Sequence, residues 1–258
     1  MNINWIVEPE LWEGHADAMK LACSELGHSI NFTDIALEKK LPILESPVFV
    51  HGSFQLARKI HDEGLDYRPG VICSIDNFLW TNYAPKLKAY LLNDQWELSR
   101  LSELETSTRN ETLTECFVRP VRGDKPFGGI VFSGDRVLWL AQAKMMRRYA
   151  EANVEIIICR LKKIEAEYRM IIVNNQVISG CRYMLDDCID PDETVPDGAT
   201  KLAQEIALGD WQPDWAYVVD IAQISSGFRL LELNGFSTSD WYCCPVASIL
   251  KAIEKSAY

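Results

Sequence analysis

Apolar runs of three to five residues alternate with amphipathic stretches through the first third of the chain. Residues 5–7, 30–32, 47–50 and 71–75 each read as a strand. Residues 14–26 read as a helix closed by Gly27. Residues 54–61 repeat apolar positions at helical spacing behind Ser53, a residue type suited to an N-cap. Strands alternating with helices predict a small α/β lobe with a parallel sheet. His51-Gly52-Ser53 lies at the end of a strand, where such lobes often hold ligands. A capped helix start accounts for the same three residues.

The texture changes near Pro85. A helical stretch over residues 86–92 leads into 96–104. Four strand-like runs follow in two hairpins, 116–119 with 130–132 and 167–173 with 177–183, and a helix over 137–150 lies between them. Residues 155–161 form a further apolar strand that runs into Lys162-Lys163. A final hairpin, 216–234, precedes a C-terminal helix at 245–255. Antiparallel pairs joined by helices predict α+β lobes rather than one continuous parallel sheet.

The turns set candidate registers. In the last hairpin Ser225-Ser226-Gly227 suits a three-residue loop ending in a left-handed glycine, which pairs Ile224 with Phe228. Counting back four residues on each arm sets Asp220 across from Glu232, with Asn234 two residues on and on the same face. Opposed carboxylates among apolar neighbours repel, and oxygen ligands converging in this way are what Mg²⁺ takes when it bridges protein and ATP phosphates. A register slip of one residue would instead separate them onto opposite faces. In the middle hairpin Asn174-Asn175 suits a two-residue turn that pairs Val173 with Gln176. That register sets Glu167 opposite Arg182, where a cross-strand ion pair explains both, and sets Arg169 opposite Gly180.

A third candidate is the segment from Cys116 to Gly129. Cys116-Phe117-Val118-Arg119-Pro120 reads as a strand stopped by proline, followed by Val121-Arg122-Gly123-Asp124-Lys125-Pro126-Phe127-Gly128-Gly129. A Gly- and Lys-rich loop between strands can cover phosphates with its N–H groups and a lysine. The Walker spacing is absent, and a plain surface hairpin fits the same residues.

Composition narrows the classes. The net charge of −11 over 258 residues opposes binding to nucleic acid. No apolar run approaches the roughly 20 residues that span a bilayer, so the reading expects no membrane partner. Met1-Asn2-Ile3-Asn4-Trp5 shows no basic region followed by an apolar stretch, so a cytoplasmic chain with reduced thiols is expected. The eight cysteines include no CxxC pair, which argues against zinc. All four histidines lie in the first 61 residues, which disfavours nucleophilic Ser-His or Cys-His catalysis.

In element order and motifs the chain resembles the ATP-grasp superfamily of ligases. The resemblance covers roughly residues 91–248. Phe117-Val118-Arg119-Pro120 followed by Lys125-Pro126-Phe127-Gly128 is similar to the F-V-R-P and K-x-F-x-G pattern of a clade in which arginine replaces the usual first phosphate-binding lysine. Glu167-Tyr168-Arg169 and Arg182-Tyr183 look like the clade's hairpin, and Asp220 with Leu231-Glu232-Leu233-Asn234 is similar to the superfamily's metal triad. The resemblance implies an α+β ATP-grasp fold: an N-terminal α/β lobe (1–85), a central lobe with the phosphate loop (86–157) and a C-terminal lobe with the metal ligands (158–258), the last two clasping ATP.

Residue by residue, it implies that Arg119, Lys125 and Gly128 meet the phosphates. Cys159 and Leu161 would border adenine, and Glu167 would take the ribose. Asp220, Glu232 and Asn234 would hold Mg²⁺. Arg169, Arg182 and Lys125 would serve the transferring phosphoryl group or acyl intermediate. Lys86 and Lys88 are candidates for the family's other phosphate lysine. The implied activity is an ATP- and Mg²⁺-dependent ligase that activates a carboxylate as an acyl phosphate for attack by an amine or thiol, with small-molecule or peptide carboxylate and amine substrates. The alternatives are another phosphotransferase on the same fold or a non-catalytic nucleotide-binding module. Exposed aromatics among the eight tryptophans could support a homodimer.

Overall fold

The computed structural model describes residues 3–9, 11–12, 14–35, 40–107, 115–132, 134–135, 141–142, 144–147, 149 and 153–256. The expected helix over 137–150 falls in part outside the described residues. Packing divides the chain into two compact units: Met1–Ser74 together with Ile164–Tyr258, and Ile75–Lys163.

The first unit contains two sheets. Strands β1 (Asn4–Val7), β2 (Ser29–Phe32), β3 (Val48–His51) and β4 (Pro69–Gly70) pair in parallel in the order β2-β1-β3-β4. Helix α1 (His15–Leu26) starts at Gly14 and stops at Gly27, whose left-handed φ of 69° lets its N–H cap the last turn. Helix α2 (Phe54–Asp62) is capped as expected, with the Ser53 hydroxyl accepting from the Leu56 N–H at 3.2 Å. The strand expected over 71–75 does not form. Gly70 turns out of the sheet at φ 73°, and Ile72 donates its N–H to the Ser237 hydroxyl at 2.9 Å instead of to a neighbouring strand. Residues Ile75–Phe78, which belong to the second unit, form a 3-10 turn.

The second sheet of this unit is antiparallel, in the order β11-β10-β9-β12-β13. Its strands are β9 (Ala166–Val173), β10 (Gln176–Leu185), β11 (Cys188–Asp192), β12 (Ala216–Ile224) and β13 (Gly227–Gly235). Along one face Ile171, Val173, Ala216 and Val218 enter a core shared with Trp5, Phe49, Met19 of α1, and Ile249, Leu250 and Ile253 of the C-terminal helix (Val246–Ser256). Burying these apolar groups at about 25 cal/mol per Å² is the main force joining the N- and C-terminal segments.

The second unit carries a four-stranded antiparallel sheet, β5 (Trp96–Arg100), β8 (Glu155–Arg160), β6 (Cys116–Pro120) and β7 (Ile130–Phe132), in the order β5-β8-β6-β7 among the described residues. Helix α3 (Trp80–Tyr83) precedes it. Residues 86–92 are successive turns, not the expected helix, although Leu87, Leu91 and Leu92 share an apolar role. Those leucines are buried, but turn bonds hold the backbone there, such as those from the Lys86 and Leu87 N–H groups to the Tyr83 carbonyl. Residues 96–104 split into β5 and the start of helix α4 (Leu101–Ser107).

Candidate functional site

The charged residues gather at one end of the inner face of the β9-β12-β13 ladder, where the apolar rows stop. Arg169 of β9 lies opposite Asp220 of β12, and Asp220 lies opposite Glu232 of β13, so the three form one row. Asn234 pairs with Val218 in the adjoining row.

The Asp220–Glu232 pairing is the expected one, reached by another route. The turn is Ser225-Ser226, with Ile224 opposite Gly227 rather than Phe228. Continued without a break, that register would set Asp220 against Leu231 and turn Glu232 to the other face. A bulge between the Ile221–Leu230 and Asp220–Glu232 pairs absorbs Leu231 and restores the pairing. Bulges commonly re-aim side chains beside functional sites in this way.

The middle hairpin departs further. Asn174 and Asn175 form the expected turn with φ 46° and 63°, and Val173 pairs with Gln176. Register shifts then occur at Ile178 and Tyr183. Arg169 therefore lies opposite Cys181, not Gly180, and Glu167 opposite Met184, not Arg182. The expected Glu167–Arg182 ion pair is replaced by an ion pair and a hydrogen bond: Arg182 donates to Asp190 at 2.6 Å, and the Tyr183 hydroxyl donates to Glu167.

At the centre, Arg169 grips Asp220 with both arms of its fork, Nε to Oδ1 at 2.8 Å and Nη2 to Oδ2 at 2.6 Å. Its Nη1 donates to the Asp240 carbonyl at 2.6 Å. Asp220 is 0% exposed and Arg169 7%. Burial works against the guanidinium charge, but the adjacent Asp220 carboxylate outweighs it and holds the pKa well above its ordinary value. Asn234 Nδ2 stands 2.9 Å from Asp220 Oδ2 and 3.1 Å from Glu232 Oε1. The two carboxylates thus converge on one point, bridged by an amide that can also present its oxygen.

Glu167, on the same face of β9, has its pKa raised to about 7. Burial is the main cause, and the Asp220 and Glu232 carboxylates add to it against the Tyr183 hydrogen bond. Carboxylate oxygens gathered in this way are the donors a hard divalent cation takes. Among the described residues no group of three His, Cys, Asp or Glu side chains forms a metal cluster, and the group beside the two carboxylates is the amide of Asn234.

The second unit holds the other sequence-predicted residues. Arg119 is buried in β6 with its guanidinium 4.9 Å from the Trp80 ring centre, a cation–π contact. The following loop is shaped by close approaches. A Cβ at Gly129 would sit 2.4 Å from the Phe117 ring and one at Gly123 2.8 Å from Phe78, whereas Gly128 faces open space. Lys125 adopts φ 38°, a left-handed conformation that non-glycine residues rarely take. Nothing in the local sequence reports the constraint at Gly123 and Gly129, because only the fold brings the two phenylalanines against them.

Cys159 borders a cavity of about 740 Å³ that Ala84, Pro85, Lys88, Trp96 and Arg160 also line. Lys88 therefore faces the same space as Cys159, while Lys86 is tied to the Asn82 carbonyl at 2.6 Å. Leu161 is partly exposed just beyond β8 and is not among the residues lining that cavity.

In the parallel sheet, His51-Gly52-Ser53 is a capped helix start whose first free N–H, that of Ser53, is taken by the Glu8 carboxylate at 2.8 Å. His15 meets the Trp241 ring edge-on and His51 lies tilted against it, and their four ring nitrogens are buried without a hydrogen-bond partner among the described residues. No helix among the described residues is long and apolar enough to cross a membrane.

Several solved structures share this architecture. D-cycloserine synthetase DcsG superposes with a TM-score of 0.64 over 100% of both chains at 13% identity. The ATP-grasp ligase PsnB, complexed with a minimal precursor, gives 0.57 over 100% of both chains at 12% identity. D-alanine–D-alanine ligase from Bacillus anthracis gives 0.55 at 11% identity, over 100% of this chain and 97% of that one. At such identities the likeness is one of fold. Among curated proteins none matches this sequence. The model of an ATP-grasp domain, family 3 of its clade, matches residues 52–253, and the chain belongs to that ATP-grasp family.

Proposed function

We propose that the protein is an ATP- and Mg²⁺-dependent ligase that activates a carboxylate as an acyl phosphate for attack by an amine or thiol, releasing ADP and phosphate. The observation that carries this reading is the convergence of Asp220, Glu232 and Asn234 on one point of a bulged hairpin. Membership in an ATP-grasp family and the fold shared with three ligases or synthetases support it.

In this reading Asp220, Glu232 and Asn234 hold Mg²⁺, which when bound neutralises phosphate charge. Arg119, Lys125 and the backbone of the 121–129 loop, including Gly128, bind the phosphates. The cavity beside Cys159 receives adenine, with Lys88 at hand for a phosphate, and Glu167 takes the ribose hydroxyls. Arg182 and Lys125 offset charge on the transferring phosphoryl group, and Arg169 acts there chiefly through the carboxylate it holds. These groups position reactants and offset charge, which is most of what phosphoryl transfer asks of a protein.

The test is thermal stability with a non-hydrolysable ATP analogue and Mg²⁺, for the wild type and Glu232→Ala. A ligand at 100 times its Kd adds about 2.7 kcal/mol, worth several degrees at this chain length. A magnesium-dependent rise that the variant loses supports the site. It justifies screening carboxylates with amines for ADP release and trapping acyl phosphate with hydroxylamine. No rise at millimolar nucleotide would sink the reading, and ADP release with no hydroxamate would turn it towards a different phosphotransferase.

A further inference from the structure

The segment between β13 and the C-terminal helix contains a backbone outlier that the reading above leaves unused. Tyr242 adopts φ 48°. A bulky residue in the left-handed region is a genuine exception, and glycine or asparagine would sit there with less strain. The conformation is enforced locally: the Tyr242 N–H donates to the side chain of Asp240, two residues back, at 2.8 Å.

This turn brings three groups onto Arg169. The Asp240 carbonyl accepts from its Nη1 at 2.6 Å. The Tyr242 ring lies 4.9 Å from the guanidinium carbon, and the Tyr183 ring lies 5.2 Å from it. The two tyrosine rings stack at 4.8 Å between centres, 5° from parallel. Tyr183 reaches this face because the first register shift in β10, at Ile178, sets Cys181 rather than Gly180 opposite Arg169, and Tyr183 follows two residues on. The guanidinium is therefore fixed by a carbonyl and two aromatic rings, while its fork fixes both oxygens of Asp220.

We propose that Tyr242 is a positioning residue for the metal ligand Asp220: the strained turn presents the tyrosine ring to Arg169, and Arg169 sets the orientation of the Asp220 carboxylate. The proposal rests on the reading of Asp220, Glu232 and Asn234 as Mg²⁺ ligands. Partners that orient a ligand from behind typically contribute about 10–100-fold in metal affinity. The role also accounts for a tyrosine where the backbone favours glycine: removing the ring would relieve strain but loosen the carboxylate.

The experiment is a Mg²⁺ titration of nucleotide-analogue binding, read by calorimetry and by melting temperature, on the wild type, Tyr242→Phe, Tyr242→Gly and Tyr242→Asn. The Phe variant keeps the ring face and should hold the Mg²⁺ midpoint within about twofold of the wild type. The Gly and Asn variants both tolerate the backbone angle. They should melt at or above the wild-type temperature without metal, yet need about tenfold more Mg²⁺ or beyond, following the scale for such partners. Midpoints for Gly and Asn within twofold of the wild type would overturn the proposal. So would a Phe variant shifted as far as the Gly variant. A wild type with no Mg²⁺ response would remove the metal reading itself, an outcome visible before any variant is compared.

Discussion

Two ion pairs in the antiparallel sheet show how burial changes the meaning of the same chemistry. Arg169–Asp220 and Arg182–Asp190 both bring a guanidinium nitrogen to 2.6 Å from a carboxylate oxygen across neighbouring strands. The first has side chains 8% and 0% exposed, uses both arms of the fork and is linked through Asn234 to a second carboxylate. The second lies toward the sheet edge, with side chains 22% and 48% exposed, beside the exposed Cys188 and Ile189 of β11. A buried pair is held in place by the penalty of leaving either charge alone, whereas water and salt weaken the exposed one. The shortest N···O distance alone would rank them as equals.

Breaking each pair tests that contrast. Arg169→Ala leaves Asp220 buried without its counter-charge and should destabilise the protein by about 3–5 kcal/mol in urea unfolding. A loss below about 1 kcal/mol would mean that water reaches the carboxylate. Glu232→Ala removes an acid from the same row without stranding a buried charge. It should leave metal-free stability close to that of the wild type while abolishing the ligand-linked gain of about 2.7 kcal/mol at 100 times Kd.

His15 of α1 and His51 of β3 supply a second buried titrating site for comparison. Burial lowers the pKa of His15 from 6.5 to about 4, and that of His51 well below 6.5. The unfolded chain takes up these protons first as pH falls. For His15 the stabilising contribution is thus complete above about 6.5 and is lost between there and about 4, at roughly 1.4 kcal/mol per pH unit, and His51 acts in the same direction. Glu167, raised to about 7, acts in the opposite sense between its ordinary value and 7. The difference in slope between the wild type and His15→Phe isolates the imidazole, and equal slopes would show that His15 is not held neutral. At the bottom of the scale, Arg182→Ala should cost about 0.2–1 kcal/mol, shrinking further in high salt. A larger, salt-insensitive loss would erase the distinction between the two pairs.

Much of the element plan was legible in the chain. Gly14 and Gly27 bracket α1, Ser53 caps α2, and Asn174-Asn175 turns the middle hairpin, because each of these signals acts through its own few residues. The strand expected over 71–75 failed for the opposite reason. Ile72 finds its hydrogen-bond partner at Ser237, 165 positions away, and no local pattern reports that.

The candidate site divides along the same line. Residue types and strand alternation were enough to place Asp220, Glu232 and Asn234 on one face, and the carboxylate pair survives even though the turn beneath it is one residue shorter than expected. The bulges at Leu231, Ile178 and Tyr183 were beyond reach, since a bulge forms where packing on both faces rewards a local change of register, and that reward belongs to neighbours remote in sequence. Through those bulges the tertiary structure moved Arg169 off Gly180, separated Glu167 from Arg182 and turned Tyr183 toward Tyr242. The chain alone determined which chemistry was present and roughly which strands carried it. Which charge meets which was decided only when three strands and a strained turn closed around Arg169, because a buried charge must be neutralised by whatever the fold brings within hydrogen-bond reach.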